Sequence, residues 1–163
     1  AGAKAHFERA LAIWEKQLGS EHPQVASGVN NLGLVVRDLG DLEGAKAHFE
    51  RALAIDEAAY GPDHPKVAAS VNNLGLVLQD LGDLEGAKAH FERALAIDEA
   101  AYGPDHPKVA TDVNNLGLVL QDLGDLEGAK AHFERALRIL RESLGEDHPQ
   151  TVLARNNLSS LDV

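Results

Sequence analysis

Eight histidines are the residues of this chain whose chemistry and spacing first invite a function. His6, His48, His90 and His132 recur inside AKAHFERAL segments, and His22, His64, His106 and His148 each stand directly before a proline. Zinc needs three or four donors converging on one point. One histidine per repeated segment falls instead a whole helical hairpin away from the next, roughly 10 Å at helix packing distances. The proline-flanked set reads as helix-start residues and the other set as half-buried packing residues. Metal storage through the histidines is the weakest of the functional classes considered, and no metal ligand is assigned. The chain has no cysteine, which removes disulfides, thiolate metal sites and cysteine nucleophiles. Ser20, Ser70 and Ser143 share no recurring acid–base neighbour, and no glycine-rich phosphate loop follows a strand. The sequence therefore predicts no catalytic residues, no cofactor and no enzymatic activity.

The elements that must position any site are set by an internal repeat. Residues 41–82 read DLEGAKAHFERALAIDEAAYGPDHPKVAASVNNLGLVLQDLG, and residues 83–124 repeat them with Thr111 for Ala69 and Asp112 for Ser70. An earlier copy begins at Gly2, and a later one continues through His132 and fades by Ser159. Copies this similar adopt one shape and stack. Each splits into two helical patterns. In the first, Val67, Val71, Leu74, Leu78 and Leu81 make one apolar stripe. Pro65 suits a first helical turn, Asp63 or His64 can cap it, and Gly82 with Asp83 ends it. In the second, Leu84, Ala87, Phe91, Ala94, Leu95 and Tyr102 share a broad face, and Gly103-Pro104 closes it. The spacing predicts helices near 1–18, 23–39, 42–60, 65–81, 84–102, 107–123, 126–144 and 149–161. Helix 1–18 is a lone second-type helix, 23–60, 65–102 and 107–144 are hairpins, and 149–161 is a terminal first-type helix. Short connections make consecutive helices antiparallel neighbours. A single hairpin cannot cover its own apolar face, so residues 1–163 are expected to form one all-α array with a 42-residue period. Gly75 and Ala87 let two backbones approach, and Phe91 fills the space beside them.

Composition agrees. The chain is 44% hydrophobic but only 4% aromatic, rich in Ala, Leu and Val rather than bulky rings. Its net charge is −11, and its Lys and Arg are scattered singly, which argues against nucleic acid and anionic membrane as partners. Apolar runs such as Leu76–Leu78 are too short to span a bilayer. No secretory signal is visible, and a cytoplasmic location is expected. The chain opens inside a helical pattern without Met, which reads as a fragment.

Asp56 and Asp98 fall on the apolar side of their helices, where the end copies carry Trp14 and Leu140. A buried carboxylate needs a donor. Each acid is either a groove-edge group or the acceptor of a structural hydrogen bond from the following helix.

The motif Asn73-Leu74-Gly75, with Leu78, Gly82, Ala87, Phe91 and Ala94, resembles the tetratricopeptide repeat. It recurs at Asn31-Leu32-Gly33 with Ala45, Phe49 and Ala52, and at Asn115-Leu116-Gly117 with Ala129, Phe133 and Ala136. The DHP, NNLG and RALxI wording is similar to kinesin light chains and to repeats attached to NB-ARC and NACHT nucleotide-binding signalling proteins. Glu57 and Glu99 stand where the usual pattern places a helix-ending proline. The resemblance implies an α-solenoid of antiparallel helical hairpins, a right-handed superhelix, with first-type helices lining its inner, concave surface. It implies a protein-interaction scaffold that binds a partner peptide or protein there. The alternative it implies is a ligand-sensing or self-assembling region of a larger NOD-like signalling protein. The candidate ligand-binding residues on that surface are Asn30, Asn31, Leu34 and Arg37, then Asn72, Asn73, Leu76 and Gln79, then Asn114, Asn115, Leu118 and Gln121. Asn amides can pair with both donor and acceptor of an extended peptide backbone. The competing role is internal: the Asn residues brace neighbouring hairpins and the Leu row packs between first-type helices. End-to-end association of copies through the two terminal helices is a further expectation.

Overall fold

A computed structural model describes residues 2–162. These form eight α-helices: α1 (Gly2–Leu18), α2 (Pro23–Asp38), α3 (Leu42–Tyr60), α4 (Pro65–Asp80), α5 (Leu84–Tyr102), α6 (Pro107–Asp122), α7 (Leu126–Leu144) and α8 (Pro149–Ser159). A single 3-10 turn, Ser160–Asp162, follows α8. The first-type helices α2, α4 and α6 stop one residue short of the spacing estimate, because Leu39, Leu81 and Leu123 are their C-caps. No helix among the described residues is long and apolar enough to cross a membrane.

Local chemistry explains the boundaries. His22, His64, His106 and His148 are the N-caps of α2, α4, α6 and α8, and each ring accepts a hydrogen bond from the backbone N–H two residues on. The following proline, at the first helical position, has no N–H to leave unpaired. At the other end of α4 the chain reverses through Gly82 at φ +85°, a left-handed conformation that costs glycine nothing. Gly82 N–H then bonds Gln79 O at 3.0 Å and Asp83 N–H bonds Leu78 O at 2.9 Å, satisfying carbonyls that the helix end would orphan.

The chain divides into two compact units, Ala1–Asp83 and Leu84–Val163. In the first, α2 packs between α1 and α3, and α3 packs on α4. Its core joins Val25, Val29 and Val36 of α2 to Ala45, Phe49 and Ala52 of α3 and to Val67, Val71 and Val77 of α4, all essentially inaccessible. In the second unit α6 packs between α5 and α7, and α7 packs on α8. Val109, Val113, Ala136, Ile139 and Ala154 form its centre. Each fully buried Val or Phe contributes about 1.5–3 kcal/mol relative to exposure. The close helix approach is visible where glycine meets phenylalanine. A Cβ added at Gly33 would lie 2.7 Å from the Phe49 ring, and Gly117 faces Phe133 in the same way.

Tyr102 departs from the apolar face assigned to it. Tyr102 is 38% exposed; its ring stacks on His106 at 4.8 Å and carries the Lys108 ammonium at 4.8 Å from its centroid. Tyr60, His64 and Lys66 repeat this arrangement.

Candidate functional site

The outward faces of the first-type helices carry the candidate residues, and the structure separates those that brace from those that present. Asn30 donates its Nδ2 to Ser70 Oγ at 3.2 Å and accepts on Oδ1 from Asn73 Nδ2 at 3.1 Å. Asn114 Oδ1 accepts from Asn157 Nδ2 at 2.8 Å. The rule is the same in both units: the second Asn of one first-type helix donates to the first Asn of the preceding first-type helix. Arg37 of α2 forms an ion pair with Asp80 of α4. Asn72, Asn115 and Gln79 have bonding or electrostatic partners as well. Bracing is therefore part of what these side chains do. Asn31 is exposed and Leu34 is 37% exposed. Leu76 and Gln121 are half-buried, as is Leu118, which packs with Leu158 and Leu161 against the Phe133 cluster. Apart from the paired Arg37 and Asp80, the candidate residues of each unit are uncharged, although the chain carries a net charge of −11.

The structure supplies the partners of the inward series Trp14, Asp56, Asp98 and Leu140: they are Gly28, Ser70, Asp112 and Ala154 of the following helices. Asp56 is buried and accepts from Ser70 Oγ at 3.0 Å, so its carboxylate meets a donor on the following helix. Burial pushes its pKa up, and the Ser70 hydrogen bond opposes that. In the next copy Asp112 replaces Ser70, and Asp98 and Asp112 form a buried carboxyl–carboxylate pair. Burial, then the charge of Asp98, pushes Asp112 up to about 8. Asp112 thus keeps its proton and donates to Asp98, whose own pKa is raised by burial. The second oxygen of Asp112 is buried without a partner. At the ends of the series Trp14 lies over Gly28, where an added Cβ would come within 2.8 Å of the indole, and Leu140 joins Ala154 in one apolar cluster. Four successive copies therefore fill one inter-helix slot with Trp–Gly, Asp–Ser, Asp–Asp and Leu–Ala. Ser70 and Asp112 are buried, while Ala69 and Thr111 next to them are exposed.

The histidines are occupied structurally. Beyond the four caps, His6, His90 and His132 bond the carbonyls of Gly2, Gly86 and Gly128 through Nδ1 at 2.6–2.8 Å. A carbonyl only accepts, so Nδ1 carries the hydrogen. Burial, then the nearby Arg51 charge, lowers the pKa of His48.

The geometry is that of repeated helical hairpins joined by side-chain ladders, and family comparison agrees. The tetratricopeptide repeat model matches residues 1–58, 25–100, 67–129 and 110–162. The chain belongs to the tetratricopeptide repeat family. Its repeats are of the kinesin-light-chain-like type. BtubC (BKLC) from P. vanneervenii is 32% identical with a TM-score of 0.78, over 90% of this chain and 58% of that one; this chain thus spans little more than half of BtubC. A Podosopora anserina protein of nearly identical TPR-like repeats, in its Q17M form, gives a TM-score of 0.81 at 23% identity, over 98% of this chain and 76% of that one. The N-terminal domain of stress-induced protein-1 from C. elegans gives 0.62 at 20% identity, over 86% and 97%. No curated protein matches the chain in sequence. Tetratricopeptide repeats are generally protein-interaction scaffolds and typically non-enzymatic.

Proposed function

We propose that residues 1–163 act as one repeat array that binds an extended segment of a partner protein along its first-type helices, on the inner, concave face. The observation that carries this reading is the set of uncharged, exposed or half-exposed amide and leucine side chains on the first-type helices of each unit: Asn31, Leu34 and Leu76 in the first, Leu118 and Gln121 in the second. The Asn30–Asn73 and Asn114–Asn157 bonds hold those helices in place before any partner arrives, and preorganised groups bind with a smaller entropic penalty. Peptides selected from a random dodecamer display library against the chain supply a probe. Leu34→Lys together with Asn31→Ala should weaken binding at least tenfold with helicity unchanged. Unaltered affinity in that folded variant would show that these residues are not the site.

A second mode, end-to-end association of copies, is favoured by Ile13 on α1, which is 46% exposed where Ile55, Ile97 and Ile139 at the same place in the other copies are buried. Sedimentation across a hundredfold concentration range should show reversible growth that Ile13→Glu suppresses. A strictly monomeric chain would rule this mode out.

A further inference from the structure

An open pocket of 150 Å³ lies between α6 and α8 of the second unit, with Leu140 of α7 among its lining residues. Ala154 and Ala110 complete its apolar surface, and Asn114, Thr111 and Gln150 bring polar groups to it. What sets this pocket apart is how its residues depart from the preceding copy. Leu140 stands where that copy has Asp98, Ala154 where it has Asp112, Gln150 where it has Lys108, and Leu153 where it has Thr111. Two acids and a lysine have become neutral or apolar at one place, so every lining residue is uncharged in a chain of net charge −11. Leu153 is 55% exposed. Its exposure is a property of the position, because Ala69 and Thr111 at the same place in the inner copies are exposed too.

We propose that this pocket anchors one apolar side chain, of about the size of a phenyl ring, from an uncharged stretch of a partner polypeptide. The inference rests on the scaffold reading above and adds a specificity position to it. Size sets the scale: about 150 Å³ is the room a benzene-sized group needs. Charge sets the limit, since a Lys, Arg, Asp or Glu side chain entering here would lose its hydration without meeting an opposite charge. The pocket also shares α6 with the uncharged residues of the second unit, through Thr111 and Asn114, so a backbone lying along that helix can deliver a side chain into it.

The test uses the display-selected dodecamers and the whole chain. Leu153→Thr with Gln150→Lys installs the residue types found at positions 111 and 108, and both changes are at exposed sites. The selected peptides should share an apolar residue at one register. Replacing that residue by Ala, or using the double variant, should each weaken binding at least tenfold, and combining them should add little more. A folded double variant with unchanged affinity overturns the proposal. If Leu34→Lys removes binding and the double variant does not, the scaffold reading stands and the pocket assignment falls. If no dodecamer binds, both fall. Toluene binding without any peptide binding would identify a small-molecule cavity and would equally overturn the proposal.

Discussion

Asp112 is a carboxyl that the fold keeps protonated at neutral pH. Its ordinary value is 3.8 and its folded value is pushed up to about 8, so the folded state holds the proton more tightly than the unfolded chain does. The stabilisation is complete below the unfolded value and is lost as pH rises from about 4 through about 8. Asp98 and Asp56 are raised as well and act with the same sign. The charged groups facing Asp112 are Asp98 and Glu99 on α5 and Lys108 on α6, with His106 beside Asp98. Denaturant midpoints should fall between pH 5 and pH 8.5. Asp112→Ser, copying Ser70, should flatten that fall and stabilise the protein at pH 8.5 by on the order of a few kcal/mol. An unchanged pH slope in the variant would remove Asp112 from the account. The sequence displayed the Ser70-to-Asp112 difference openly, but its meaning was not legible from one helix. A single apolar stripe marks Val67, Val71, Leu74 and Leu78, whereas Ala68, Ser70, Gly75 and Val77 are buried too. The buried arc is wider because the first-type helix of a repeat is enclosed by second-type helices, as α6 is by α5 and α7.

Between elements, two kinds of slot hold the hairpins together. Gly33 against Phe49 is one, and it leaves no room for a methyl group. Gly33→Ala gains helix propensity of about 1 kcal/mol, but the fully buried ring has nowhere to move, so overpacking of about 1–3 kcal/mol should win. A raised denaturation midpoint would show that the ring yields. The acid slot behaves differently. Asp98→Leu alone leaves the Asp112 carboxyl without its acceptor and should destabilise by roughly 1–3 kcal/mol. Asp98→Leu with Asp112→Ala reproduces the Leu140–Ala154 solution and should recover the loss. Additive losses in that cycle would mean that the two positions do not share a slot. Helix existence and order were readable because proline, histidine and glycine punctuate every copy. The C-terminal boundaries at Leu39, Leu81 and Leu123 were one residue off, since an apolar residue on the stripe serves there as a cap. The spacing of Tyr102 fits the apolar face, but its ring stacks on His106 and is 38% exposed.

For the molecule as a whole, the family was legible because its small and large packing positions recur at fixed offsets. The candidate site was legible only in part. Asn30, Asn73 and Asn114 occupy the outward face, but a row of amides is consistent with both bracing and recognition until the bonds are seen, and Asn30 bonds on both its amide nitrogen and its oxygen. Leu34, Leu153 and the uncharged residues around them carry the binding claim. Ion pairs such as Arg51–Glu15 and Arg135–Glu99 lie on the second-type helices α1, α3, α5 and α7, whereas Arg37–Asp80 joins two first-type helices beside the uncharged residues. Backbone amide chemical-shift mapping of the chain saturated with a selected dodecamer tests the central claim most directly. The account predicts perturbations concentrated on α2, α4, α6 and α8, strongest near Leu34 and Leu153. Perturbations concentrated instead on the exposed faces of α3, α5 and α7, with the first-type helices unmoved, would contradict it.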